Sequence, residues 1–221
     1  MMRVIYALAA LCCVSTCTLL GGSITLGIDN GANIFPFGGP TSGPGTEYQE
    51  AYDSTDFSGP ISITGIDFFG GSGTLYAGTY TLSLSTISAN INTLSDTNFS
   101  SNLGADNTVF DVVALSGAAP SELTFTGGPF NYNPGLGSLL LDIQISGANG
   151  TATDASYEDG SGEGPAGVIR YQNFNDGSGT TGYGLVTEFD FGAVTSGVPE
   201  PGTFSLLGCG LLGLLVQRLR R

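Results

Sequence analysis

Glu188 and Asp190 stand two residues apart in a run where Leu185, Phe189 and Phe191 alternate with Val186, Glu188 and Asp190. On an extended strand, residues two apart project to one face at about 7 Å spacing. That is within the roughly 5–9.5 Å over which glycoside hydrolysis places its two carboxyls. The same alternation also describes a solvated strand face opposite an apolar one, which is the plainer reading. A second acidic set, Asp154, Glu158, Asp159 and Asp176, lies in Gly- and Asn-rich stretches and offers the hard oxygen donors that calcium takes. Counted from Asp154, Asp159 falls where an EF-hand loop needs glycine, so the spacing is not that of an EF-hand.

Tyr48 and Tyr52 flank Glu50 on one face of a predicted strand over residues 47–53. They could form an aromatic strip for stacking on a sugar, or pack as ordinary β-formers at the edge of the core. Arg170 could clamp a ligand carboxylate or pair with neighbouring acids on an outer face.

Much other chemistry is excluded. The chain has no histidine, and residues 24–196 hold neither cysteine nor lysine. Histidine-dependent triads, Cys–His pairs, lysine Schiff bases and the usual zinc sites all need those residues. No glycine motif with a phosphate-binding lysine occurs. Only carboxylate chemistry remains, and the expectation is a protein that is not an enzyme and has no cofactor other than calcium.

The elements that must position these residues are strands. Tyr80, Leu82 and Leu84 alternate with Thr79, Thr81, Ser83 and Ser85; Leu123 and Phe125 alternate with Thr124 and Thr126; Leu141, Ile143 and Ile145 oppose Asp142 and Gln144. Ile61 and Ile63 begin one phase and Ile66 and Phe68 continue in the other, which predicts a bulge at Thr64-Gly65. Further strands are predicted near 109–115 and 168–174, and residues 95–104 read as irregular with one short helical turn. No amphipathic helix separates the strands, so a parallel α/β fold is not expected. The expectation is all-β: one two-sheet, jelly-roll-like β-sandwich over residues 24–196 with roughly eight to ten strands. The Gly- and Ser-rich stretches 38–46 and 154–167 read as mobile loops.

The two ends have a different character. Arg3, an apolar stretch over 4–20 and small residues Gly21-Gly22-Ser23 predict a signal peptide over residues 1–23. At the other end, Val198-Pro199-Glu200-Pro201 precedes an uncharged apolar run over 204–216, followed by Arg218, Arg220 and Arg221. A helix of that length spans about 20 Å, short of the roughly 30 Å hydrocarbon core, although arginine side chains that reach to the interface narrow the gap. The arginines hold that end on the cytoplasmic side and place the preceding domain outside. Three of the four cysteines lie in the first 20 residues and the fourth, Cys209, in the apolar run, so the exterior segment has no disulfide.

This order of motif, short transmembrane helix and arginine cluster over residues 197–221 resembles the PEP-CTERM sorting signal of exported bacterial proteins. The resemblance implies an exosortase-type membrane processing enzyme as partner, at least transient residence in the inner membrane, and a final place on the cell surface or outside it.

Charge narrows the other partners. Residues 24–196 carry eighteen acids against Arg170 alone, a net charge of −17. Nucleic acid and anionic lipid need basic patches and are disfavoured. The expected function is an exported surface or matrix protein associated with extracellular polysaccharide. The alternatives are a carbohydrate-binding module assisted by calcium and, more remotely, a carboxylate-only glycoside hydrolase.

Overall fold

Period-two alternation of apolar residues builds thirteen strands among the residues that the computed structural model describes: 21–39, 46–95, 98–147, 153–160, 168–173, 178–181 and 184–193. By its internal contacts the chain forms one unit over 20–194 and a second from 1–19 and 195–221. The second lies outside the described residues, as do the sorting helix and the predicted signal peptide up to residue 20; the peptide's last residues, Gly22 and Ser23, stand in the first strand. Among the described residues no helix is long and apolar enough to cross a membrane.

The strands are β1 (Gly22–Leu26), β2 (Asp29–Asn33), β3 (Thr46–Tyr52), β4 (Ile61–Phe69), β5 (Thr74–Ile87), β6 (Thr108–Ala118), β7 (Glu122–Tyr132), β8 (Ser138–Ser146), β9 (Tyr157–Gly160), β10 (Val168–Asn173), β11 (Ser178–Thr181), β12 (Gly184–Leu185) and β13 (Thr187–Ala193). They form a four-stranded sheet in the order β1-β13-β4-β7, a six-stranded sheet β11-β10-β3-β8-β5-β6, and a three-stranded sheet β12-β9-β2. Every pairing is antiparallel. The all-β expectation holds, with a third small sheet where two sheets were expected. That sheet uses Tyr157–Gly160, inside the stretch read as a mobile loop. Tyr157 is buried there, and both edges of β9 are paired, which the surrounding glycines and acids conceal in the sequence.

The main core contains Ile63, Ile66, Phe68 and Phe125 from the four-stranded sheet and Tyr48, Tyr80, Leu82, Leu141 and Ile143 from the six-stranded one. Phe37, in the turn after β2, meets Phe68 and Tyr157 edge-on at 5.2 and 5.1 Å and stacks on Tyr80 at 5.7 Å. Such ring pairs contribute about 0.5–1.5 kcal/mol each beyond the area they bury. The close approach of β7 to β6 depends on Gly127, where an added Cβ would lie 1.9 Å from the Phe110 carbonyl oxygen.

The six-stranded sheet is covered on its outer face as well. Between β5 and β6, residues 88–95 and 98–107 form short 3-10 turns at Ile91–Thr93 and Phe99–Ser101. Ile91, Leu94 and Phe99 pack with Ala51, Ile87 and Leu140 as a second apolar cluster. This cap explains why β8 is buried on both faces from Ser138 to Ile143, including Asp142.

Candidate functional site

The predicted pair Glu188 and Asp190 shares the outer face of β13, opposite buried Phe189, and the structure adds a third acid. Asp67 on β4 stands directly across from Glu188, and Asp190 stands across from Gly65. The predicted bulge brings them together. Register shifts between Ile63 and Gly65 against β7 and between Asp190 and Phe191 against β4, and the Asp190 side chain leans over Gly65, where an added Cβ would meet its Cβ at 2.8 Å and Oδ2 at 2.9 Å. One oxygen from each of Asp67, Glu188 and Asp190 lies within 4.8 Å of the others. The Thr25 hydroxyl on β1 donates to Glu188 Oε2 at 2.5 Å. Asp67 is only 4% exposed. Burial raises its carboxyl above the usual range, and Asp190, Glu122 and Glu188 raise it further, against a hydrogen bond with Thr124.

This arrangement offers hard oxygen donors close together, the kind a divalent cation takes. It does not resemble two carboxyls flanking a cleft. The open depression beside Asp190 is lined by Gly22, Ser23, Thr64 and Phe191 among others, and neither Glu188 nor Asp67 borders it.

The tyrosine strip is corrected by the structure. Tyr48, Glu50 and Tyr52 do share one face of β3, but that face is the core, and none of the three has exposed surface. A sugar cannot stack on them. Their hydroxyls serve Glu50 instead: Tyr48 donates to Oε1 at 2.5 Å and Tyr52 to Oε2 at 2.6 Å. The Leu185 backbone N–H also donates to Oε1, and the Thr187 hydroxyl donates to Oε2 at 3.1 Å. Glu50 thereby joins one strand from each of the three sheets, β3, β12 and β13. Burial raises its carboxyl above the usual range, and the four donors offset part of that rise.

The predicted calcium ligands do not converge among the described residues, where the one group of three acids within mutual reach is Asp67, Glu188 and Asp190. Asp154 is exposed and accepts the Thr74 N–H at 2.8 Å. Glu158 and Asp159 are neighbours on β9, so their side chains leave opposite faces. Asp176 lies outside the described residues. Arg170 pairs in register with Glu50 through β10 and β3, and its side chain lies outside the description.

Sequence reasoning missed a buried polar network under the cap. Gln49 Nε2 donates to Asp142 Oδ1 at 2.9 Å and to the Phe99 carbonyl at 3.2 Å, while Asn102 Nδ2 donates to Gln49 Oε1 at 2.9 Å. Glu47 is hydrogen-bonded to Asp142, and burial together with that carboxylate pushes its carboxyl up to about 7.

The protein's destination is written after β13. Residues 197–221 match the family model of the PEP-CTERM protein-sorting motif. The chain carries a PEP-CTERM sorting motif. The matched span holds Val198, Pro199, Glu200 and Pro201 and the arginines 218, 220 and 221. A PEP-CTERM motif marks an exported protein that an exosortase-type membrane enzyme processes, anchored transiently before it reaches the surface or the exterior. No curated protein and no solved structure matches the chain.

Proposed function

We propose that the mature protein is a non-enzymatic component of the cell surface or extracellular matrix, associated with extracellular polysaccharide. The observation that carries this reading is the sorting motif, which follows directly on a β-domain without histidine, lysine or cysteine. Among the described residues, the acid pair with the spacing for catalysis, Glu188 and Asp190, sits with Asp67 in a crowded patch on an outer face.

Polysaccharide association fits the charge. A domain at −17 is compatible with neutral glycans, and with acidic ones bridged by divalent cations, whereas it repels nucleic acid and anionic lipid. The test is cell fractionation of a producing strain and of one that makes no extracellular polysaccharide, each washed with calcium or with a chelator. The tag-free protein should stay with the polysaccharide-bearing cells and pass into the medium without polysaccharide. Intact chain in the cytosol would end the exported reading, and equal retention by both strains would end the polysaccharide one.

A further inference from the structure

The last described segment, residues 184–193, adds a strand to two of the three sheets and reaches the third through Glu50 and Tyr52. β13 lies between β1 and β4, so it fills the open edge of β4. Among the described residues β13 is also the one strand with which β1 pairs, from Gly22 opposite Phe191 to Leu26 opposite Thr187. The first strand of the domain therefore has no place in a sheet until the last one arrives. Leu185, Thr187 and Phe189 are fully buried, and Phe189 meets Tyr52 edge-on at 4.9 Å. Two of the four donors on Glu50 come from Leu185 and Thr187. Before this segment docks, the Glu50 carboxylate has lost half its hydrogen bonds and the β4 edge is unpaired, a condition that invites pairing with other chains.

From Ala193 to Val198 the chain is five residues, at most roughly 18 Å when fully extended. Exported from its N-terminus, the chain has β13 outside before the sorting motif is in position. Adding one strand to a formed edge runs on the scale of hairpin formation, about 1–10 μs, whereas an enzyme turning over at about 1–1,000 per second needs a millisecond or longer. We propose that closure of the domain by residues 184–193 precedes removal of the sorting tag, so the processing enzyme acts on a closed domain. This rests on the reading that the chain is an exosortase substrate, and the tests below separate the two.

The first test is a pulse-chase of the full chain in a host that processes PEP-CTERM proteins, with a brief protease pulse on spheroplasts at each time. The tagged precursor should already resist the protease before any tag-free chain appears. Tag-free chain that is first sensitive and only later resistant overturns the proposal. If no tag-free chain ever appears, the exosortase reading itself fails.

The second test locks the closed state. Thr25 and Glu188 are partners in register on the outer face of β1 and β13, at the Cα spacing of about 4.5–5.5 Å that a disulfide bridges. Because residues 24–196 contain no cysteine, Thr25→Cys with Glu188→Cys, on a Cys209→Ser background, reports one bond. Oxidised chain should lose its tag within about twofold of the rate of the Cys209→Ser parent. Oxidised chain that accumulates with its tag, while reduced chain is processed, shows that the enzyme needs the open domain and overturns the proposal.

Discussion

The Tyr52 hydroxyl donates to Glu50 Oε2 at 2.6 Å in the middle of the core, where neither residue has exposed surface. With Tyr48, Leu185 and Thr187 it makes the carboxylate a four-way junction between sheets. Glu50→Ala leaves four donors facing a void, and a buried donor left without its partner costs about 1–3 kcal/mol. Glu50→Gln should cost far less. Its amide oxygen accepts from Leu185 and Tyr48, and the hydroxyls of Tyr52 and Thr187 rotate to accept its N–H groups. Urea unfolding of the two variants checks this; equal losses would show that the charge itself, not the junction, holds the strands.

Stability should fall as pH rises from about 5 to 8. Glu47 is pushed up from 4.5 to about 7 by burial and by Asp142, and burial with the nearby Asp53 charge pushes Asp56 up from 3.8 to about 6. Glu50, Asp67 and Asp142 are raised as well. A group whose folded-state value lies above its unfolded value contributes stability that is complete below the unfolded value and lost as pH passes the folded one. Melting temperature against pH should therefore slope downward through 6–7, and Glu47→Gln should flatten the upper part of that slope. A wild-type protein that becomes more stable between pH 5 and 8 would contradict the assignment.

What the sequence made legible was local. Alternation at Tyr80, Leu82 and Leu84, the phase change at Thr64-Gly65 and the irregular stretch around Phe99 are all carried by neighbouring residues, and each has its counterpart in the fold. Inside and outside were harder. Tyr48, Glu50 and Tyr52 share a face in either reading, but only the pairing of β3 between β8 and β10 decides that the face is the core. Asp67 joins Glu188 across 121 positions of sequence through strand register, which no spacing rule reports. Asp142 looks like an ordinary outward residue of a half-buried strand, and it is buried because the cap folds back over it.

Asp67→Asn should stabilise the domain. Asp67 stands directly opposite Glu188, with Asp190 also close and Asp67 itself almost covered. Like charges directly opposite one another on a sheet cost within about 0.2–1 kcal/mol, so a gain of roughly that size is expected in low salt at neutral pH. Thr124 can hydrogen-bond the amide as it does the acid. Titration with calcium gives a second readout: a cation bound by these three acids would raise the wild-type melting temperature and leave that of Asp67→Asn unchanged. An Asn variant less stable than the wild type without any added cation would rule out the repulsion.

The cap covers Asp142, beside which Glu47 is half-buried. Phe99 is 4% exposed in the second apolar cluster, and its carbonyl accepts from Gln49, the same side chain that donates to Asp142. Phe99→Ala removes a buried ring from a small cluster that can partly collapse, for an expected loss of about 3 kcal/mol, the lower end for such truncations. The loosened cap should also admit water to Asp142 and weaken the desolvation that raises Glu47. The variant should therefore lose both stability and the steep dependence on pH near 7, in the same series of melts. Asn102→Ala provides the contrast, since it strips Gln49 Oε1 of its donor but leaves the apolar cluster in place. It should cost about 1–2 kcal/mol and retain the slope. If Phe99→Ala lowers stability while the slope near pH 7 persists unchanged, burial by the cap is not what raises Glu47, and contact with the Asp142 carboxylate alone accounts for it.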